Sequence, residues 1–248
     1  MKKELFAVTA LAAGMLLADT TVTTSNTLGF LPVSNAKAKA TVGTAGMWLV
    51  TVPFIDYQSE AGVSEQAVKV EDVLQTANLA ENDELFIPAG AGAYNNYKLN
   101  ASKVWVPSKI VTLNADGSVK TESGTAATEK TVARGSAFWV KTSASQINLL
   151  GEGVTADKTV TVPGGGNVNK WSLIGATTCK TEIDLENFTG AKGDIIRLAD
   201  GTQYFYNAKV VGWVKSTNLL TKTTDKIPAG VGFWYATKNN INLWPKAN

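Results

Sequence analysis

The amino-acid sequence predicts an all-β protein made of two tandem copies of one small β unit, at residues 39–152 and 153–248. The duplication is visible at residues 132–149 and 227–243, which both carry a Phe-Trp pair and then Ile-Asn-Leu. Elsewhere, short alternating segments are separated by Gly, Pro, Asn and Asp at roughly 8 to 15 residues, a spacing typical of β-sandwiches and barrels. We therefore expect two internally duplicated small sandwich or barrel units, with a short helix in the first.

The N-terminal residues 1–38 have the pattern of a secretory signal peptide. Two lysines precede an apolar stretch at residues 5–18, as in such leaders. This stretch is shorter than the roughly 20 apolar residues that a transmembrane helix needs. Small residues favour cleavage after Ala38, and cleavage near Ala18 is the alternative. The mature protein is expected to be secreted, extracellular or at the cell surface, with the periplasm as an alternative, and to have no membrane span.

Each copy is predicted to begin with a strand. Residues 46–53 and residues 168–175 both alternate and are rich in β-forming side chains. Their alignment places Met47 opposite Trp171, so a large apolar residue keeps its place while its chemistry changes. Packing explains this better than ligand binding does.

A segment with helical periodicity follows in the first copy. Apolar residues recur on one helix face at Val70, Val73, Leu74 and Ala77. The matching segment of the second copy is shorter, at residues 182–188, and we expect it to keep one turn.

Each copy then has an Asp-containing turn that leads into a strand, with Asp83 in the first copy and Asp194 in the second. Asp side chains commonly bond backbone N–H groups in such turns, so we assign both carboxylates a structural role. Two further strands follow, the second of which carries Trp105 or Trp213. A polar hairpin, with a tight turn at residues 116–117 in the first copy, leads to the Phe-Trp strand.

The segment that joins the copies is predicted to be a strand at residues 158–162, followed by a flexible Pro-Gly-Gly-Gly corner. It can pair with either copy. The boundary near Gly153 is therefore open by several residues.

The composition excludes several classes of function. Histidine is absent, which removes the commonest metal ligand and the usual base of serine and cysteine nucleophiles. Cys179 is the single cysteine, so neither an internal disulfide nor a Cys-rich metal site can form. The net charge is +2 with scattered Lys and Arg, so no nucleic-acid partner is expected. We predict neither a cofactor nor a metal site.

Four short motifs carry a resemblance to known sequences: Trp-x-Leu-Ile, Gly-Asp-x-Ile, Gly-Trp-Val and Pro-x-Gly-x-Gly-Phe-Trp. They occur at residues 171–174, 193–196, 212–214 and 228–234. This string resembles the tandem repeats of uncharacterised secreted bacterial proteins. The first copy departs from it, with Met47 in place of Trp171 and Ala137 in place of Gly232. The resemblance implies export and a β fold, and no activity.

The aromatic residues are the candidates for ligand binding. Consecutive side chains on a strand point to opposite faces, so one residue of each Phe-Trp pair must face away from the core of its own copy. Either the partner copy or a crossing loop covers this second face, or tryptophans form a platform that stacks on a sugar ring. The platform residues would be Trp105, Trp139, Trp213 and Trp234.

Catalysis is not expected. A glycosidase pair needs two facing carboxylates roughly 5 to 10 Å apart, and the second copy offers only Asp194 opposite the cluster Glu81, Asp83 and Glu84. We predict a secreted or cell-surface structural or interaction module that is not an enzyme, whose partner is itself or a cell-surface polysaccharide or protein. The alternative is a carbohydrate-binding module that uses exposed tryptophans.

Overall fold

The computed structural model describes residues 28–33, 46–55, 67–90, 92–114, 118–153, 159–177 and 182–244. Of these residues, 57% lie in strands, so the prediction of an all-β fold is confirmed. Most of the predicted leader, Cys179 and the tight turn at residues 116–117 lie outside the described residues.

The strands are short and distributed along the whole described chain. Twelve lie before residue 154: β1 (Leu28–Val33), β2 (Gly46–Thr51), β3 (Phe54–Ile55), β4 (Ala67–Lys69), β5 (Leu74–Gln75), β6 (Glu84–Gly90), β7 (Ala93–Leu99), β8 (Trp105–Leu113), β9 (Val119–Ser123), β10 (Thr131–Ala133), β11 (Ala137–Thr142) and β12 (Ile147–Gly153). Ten follow: β13 (Val160–Val162), β14 (Lys170–Gly175), β15 (Ile183–Asp184), β16 (Ile195–Leu198), β17 (Gln203–Asn207), β18 (Gly212–Lys215), β19 (Asn218–Lys222), β20 (Lys226–Ile227), β21 (Gly232–Thr237) and β22 (Ile241–Leu243).

Two six-stranded antiparallel sheets form most of the structure. The first sheet has the order β2-β11-β6-β7-β8-β9, and the second sheet has the order β14-β21-β16-β17-β18-β19. In both, the opening strand pairs with a strand that comes much later in the chain, and a meander of four consecutive strands completes the sheet. The relative strand order is therefore the same in both sheets.

Smaller sheets flank these two. Strand β12 pairs with β1, β3 and β5, and β10 pairs with β4, while β22 pairs with β13 and β20 with β15. Strand β1 lies inside the range predicted as leader, yet its backbone pairs along its full length with β12, from Leu28 opposite Glu152 to Val33 opposite Ile147. The joining strand β13 pairs with the second half of the chain.

The helix predicted in the first half is present as one turn, α1 (Val70–Val73). Both of its neighbours in the chain, β4 and β5, are paired in sheets, and Lys69 supplies no side-chain cap. The turn buries Val70 and Val73. The apolar spacing thus identifies residues that enter the core, but it does not produce a helix longer than one turn. No helix among the described residues is long and apolar enough to cross a membrane.

The two large sheets meet through contacts that come in reciprocal pairs. An isolated bridge joins Val50 of β2 to Val231, and another joins Ile174 of β14 to Ser136. Val50 and Ile174 hold the same place on the opening strands of their sheets, and the partner in each case directly precedes the Phe-Trp strand. Each sheet thus contributes the same pair of segments to the contact.

Small residues permit this close approach. A Cβ placed on Gly175 would lie 2.4 Å from the Cβ of Thr51, and one placed on Gly232 would lie 2.6 Å from the Cβ of Ala137. Thr51 and Gly175 end the two opening strands, and Ala137 and Gly232 begin the two Phe-Trp strands. At both places one sheet has a side chain and the other sheet has glycine.

The two Asp-containing turns have the predicted structural role. The Asp83 carboxylate accepts a hydrogen bond from the backbone N–H of Ala80 at 2.8 Å, and Asp194 accepts one from Ala191 at 2.8 Å. Both carboxylates are buried. Each also accepts a hydroxyl hydrogen bond of 2.6 Å from the neighbouring Phe-Trp strand region, from Thr142 to Asp83 and from Tyr235 to Asp194.

The apolar residues form two clusters on opposite faces of the sheets. Phe138 belongs to the main cluster and Trp139 to a smaller one, as alternation on a strand predicts. The main cluster contains Phe233 and joins residues of both halves of the chain. The smaller cluster also joins both halves, because Trp234 packs against it.

Buried tyrosines, among them Tyr97, Tyr204 and Tyr235, are expected to make the protein less stable at alkaline pH. Burial raises the pKa of Tyr97 to about 12, and burial together with a carboxylate partner raises the pKa of Tyr204 and Tyr235. A tyrosine with a raised folded-state pKa stabilises the folded protein below its unfolded value of about 10, and this contribution is lost as pH rises further. Urea unfolding between about pH 8 and pH 11 should show this fall.

Tyr235→Phe should reduce the slope of stability against pH above about pH 10, because phenylalanine has no proton to release. Equal slopes for this variant and the wild type would contradict the assignment. Tyrosinate absorbance, followed in the same samples, reports whether the tyrosines ionise before or with unfolding.

Candidate ligand-binding site

The structure separates the four predicted platform tryptophans into two groups. Trp105 and Trp213 are 2% and 0% exposed and lie in the main core. The Trp213 indole N–H donates to the Phe188 carbonyl at 3.1 Å, and its ring meets Tyr235 edge-on. These two residues therefore fill the interior and offer no surface to a ligand, which corrects the expectation for this pair.

Trp139 and Trp234 are brought together where the two sheets meet. Their ring centroids lie 5.1 Å apart with a tilt of 56°, within the range of favourable aromatic pairs. Trp139 is 3% exposed, whereas Trp234 is half-buried. The second face of each Phe-Trp strand is thus covered by the other half of the chain, and one of the two indoles retains access to solvent.

A cavity of about 310 Å³ opens beside this pair, and we name it the Trp cavity. It is lined by Gly92, Tyr94, Leu113, Asn114, Trp139, Trp171, Arg197 and Trp234. Residues of both sheets contribute, so the cavity exists only when the two halves are packed together. Its walls combine aromatic rings with an amide and a guanidinium, a composition suited to ligand pockets.

Trp171 is the most exposed of the aromatic residues that line the cavity, with 46% of its surface accessible. It lies on β14, opposite Ala236 of β21, and its side chain shares a face with Trp234 and Arg197. The sequence favours a packing role for Trp171, because Met47 stands at the same place in the first half. The signal that could have identified Trp171 is the difference between methionine and tryptophan at this place, since Met47 is buried and Trp171 is not.

Arg197 gives the cavity its charge. Its guanidinium lies over the Trp234 ring, 5.8 Å from the centroid, a cation–π arrangement. Among the described residues, no carboxylate forms an ion pair with Arg197 and its buried Nε has no hydrogen-bond partner. The strand at the same place in the first sheet carries Phe86, which packs beneath Trp139. A cation has therefore replaced a core residue at the cavity wall.

Tyr94 closes one side of the Trp cavity from the hairpin of β7 and β8. Burial raises the pKa of Tyr94, and a hydrogen bond from the Trp139 side chain partly opposes the rise. The hydroxyl therefore stays protonated near neutral pH and can both donate and accept hydrogen bonds. With Asn114 and Arg197, the cavity offers three polar groups beside its indole rings.

The chemistry available in the Trp cavity is recognition by stacking and hydrogen bonding. No carboxylate, cysteine or hydroxyl of serine or threonine lies among the residues that line it. Within the described part of the chain, no group of three or more Cys, Asp or Glu residues is placed to hold a metal ion.

The fold and the cavity define an all-β protein with an aromatic-lined cavity between two sheets of equal strand order. Neither family models, curated proteins nor solved structures provide a significant match to the chain.

Proposed function

We propose that the protein is an exported, non-catalytic interaction module of the bacterial cell exterior that binds a carbohydrate in the Trp cavity. The observation that carries the proposal is the combination of the exposed Trp171 with Trp234, Arg197 and Asn114 around one opening of about 310 Å³. Indole faces stack on the C–H faces of sugar rings, and the amide and guanidinium supply hydrogen bonds to hydroxyl groups.

The proposal includes the duplication of one small β-sandwich or barrel unit. Its support is the equal strand order of the two sheets and the reciprocal bridges between them. Two further pairs agree with it: the N–H of Thr51 donates to Gly230 at 2.9 Å, and the N–H of Gly175 donates to Gly135 at 3.0 Å. A repeated unit that packs about a two-fold axis has contacts of this kind.

Export is proposed from the leader, and strand β1 favours the earlier of its two cleavage positions. Strand β1 pairs with β12 as β13 pairs with β22. Cleavage after Ala38 would remove β1 from the first unit, whereas cleavage near Ala18 would retain it. N-terminal sequencing of the exported protein distinguishes the two positions.

Replacing Trp171 with alanine is expected to weaken binding to any glycan that the wild type recognises by about tenfold, because one stacking surface is lost. Stability should change by less than about 0.5 kcal/mol, since the side chain is half-exposed. Glycan-array binding followed by calorimetry with the best glycan measures both effects.

The matched control is Val104→Ala, which removes a side chain that is 52% exposed and does not line the cavity. Binding by the control should equal that of the wild type. A wild-type protein that recognises no glycan, or a Trp171→Ala variant that binds as well as the wild type, would exclude carbohydrate recognition at this cavity.

A second candidate function, a structural module that assembles with itself or with a surface protein, is favoured by the strand β19. This strand lies at the edge of the second sheet and exposes Leu219 and Leu220. Open edge strands with apolar side chains are sites for strand addition. Sedimentation over a range of concentrations distinguishes this candidate, which requires association without any glycan.

A further inference from the structure

One face of the two sheets differs in a systematic way between the halves of the chain. Residues directly opposite each other on neighbouring antiparallel strands share a face, so a row of five side chains can be followed across each sheet. In the first sheet this row is Met47, Lys141, Glu84, Lys98 and Val106. In the second sheet, on the strands that hold the same places, it is Trp171, Ala236, Ile195, Phe205 and Val214.

The first row is charged at its centre and suited to solvent. Lys141 and Glu84 form an ion pair of 2.6 Å, and Lys98 is exposed on the next strand. The fold therefore accepts charged residues at these places. In the second row Ala236 and Val214 are buried, whereas Ile195 and Phe205 are half-buried and present apolar surface at the places where the first row carries Glu84 and Lys98.

The second row joins two concave sites. At one end, Trp171 belongs to the Trp cavity. At the other end, Phe205 and Val214 belong to an apolar groove of about 640 Å³ that is walled by Leu219 and Leu220. Trp171 and Phe205 are three strands apart, about 14 Å at the usual strand spacing. The row, which we name the apolar row, thus connects the Trp cavity to the groove.

The charged residues that line the two concavities are all positive. Lys192 and Lys209 line the groove, and Arg197 lines the Trp cavity. Among the described residues, none of these three cations forms an ion pair with a carboxylate, and no carboxylate lines either concavity. A second copy of the chain docked on this face would bring lysines together, so the charges favour an anionic occupant.

We propose that the ligand is an acidic polysaccharide chain that starts in the Trp cavity, crosses the second sheet along the apolar row and ends in the groove. This inference rests on the proposed function. The sugar rings lie with their apolar faces on Trp171 and Phe205, while their carboxylates face Arg197 at one end and Lys192 and Lys209 at the other. Neighbouring strands lie about 4.8 Å apart, so successive sugar rings of the chain lie over successive strands.

The test is a chain-length series of oligogalacturonates and oligomannuronates, measured by calorimetry on the full protein. The affinity should rise by about tenfold between two and four units, as rings beyond the cavity reach the row. Methyl esters of the same oligomers should bind more weakly, because they remove the charge and leave the rings unchanged.

The decisive variant is the double substitution Ile195→Glu and Phe205→Lys, which gives the second sheet the residues of the first at the same places. It should remove the increase in affinity between two and four sugar units and leave the affinity for the monomer and the dimer at the wild-type level. The matched control, Ile195→Val with Phe205→Tyr, should keep the gain. Folding of the double variant is verified by its circular dichroism and melting temperature.

Each outcome has a distinct meaning. An unchanged length dependence in the double variant, or equal affinity for the methyl esters, would overturn the extended acidic ligand while the cavity remained a sugar site. Binding of neutral glycans alone would do the same. Absence of binding to every glycan would overturn both this inference and the proposed function.

Discussion

Replacing Gly175 with alanine is expected to lower the free energy of unfolding by about 2–3 kcal/mol, the upper part of the range for overpacked interiors. The added Cβ would lie 2.4 Å from the Cβ and 2.5 Å from the Cγ2 of Thr51. Thr51 is fully buried, and its hydroxyl donates to the Ser136 carbonyl at 2.9 Å. Rotation of the Thr51 side chain leaves its Cβ in place, so only a shift of the backbone can relieve the clash. Urea denaturation of the variant measures the loss.

The combination of Gly175→Ala with Thr51→Gly should recover part of this stability, because the side chain then moves from one sheet to the other. A double-mutant cycle gives the coupling between the two positions, which we expect to be favourable and above about 1 kcal/mol. Additive effects of the two substitutions would show that the sheets do not meet at this point.

Replacing Asp194 with alanine is expected to destabilise the protein by about 3 kcal/mol. The carboxylate is 2% exposed and accepts hydrogen bonds from the Tyr235 hydroxyl and the Ala191 N–H. Its loss leaves a buried hydroxyl and a turn amide without their acceptor, and hydrogen bonds to charged groups contribute about 1.5–3 kcal/mol each. Chemical denaturation at neutral pH measures the effect.

Asp200→Ala is the matched control for this substitution. Asp200 also accepts a backbone hydrogen bond in a turn, from Thr202 at 2.8 Å, but it is exposed to solvent. Its removal should cost less than about 1 kcal/mol, since water can replace the lost partner. Similar losses for the two variants would mean that burial of Asp194 does not determine its contribution.

The elements that were predictable from sequence are those fixed by local chemistry. Alternation of side chains correctly placed Phe138 and Trp139 on opposite faces, and the Asp turns at Asp83 and Asp194 bond backbone amides as expected. Both predictions depend on residues near each other in the chain. The helix was predicted from spacing alone, and it is one turn because the chain on both sides is held in sheets.

The site was predictable only in part, because it is formed by contacts between distant parts of the chain. Trp139 and Trp234 were identified, but no local pattern shows that their rings meet at 5.1 Å. Trp105 and Trp213 are also tryptophans on predicted strands, so the sequence does not distinguish them from Trp139 and Trp234. Only the packing of the structure shows that they are interior. Trp171 and Arg197 were recognisable in principle, since each replaces a buried apolar residue of the other half, Met47 and Phe86.

The pairing of Thr51 in the first sheet with Gly175 in the second determines which halves can pack against each other. Two first halves joined in the same manner would press Thr51 against Thr51, and two second halves would leave a void between their copies of Gly175. Each half consequently fits its neighbour on the same polypeptide better than it fits a duplicate of itself. The mismatch at Thr51 and Gly175 therefore disfavours association of separate chains through their like halves.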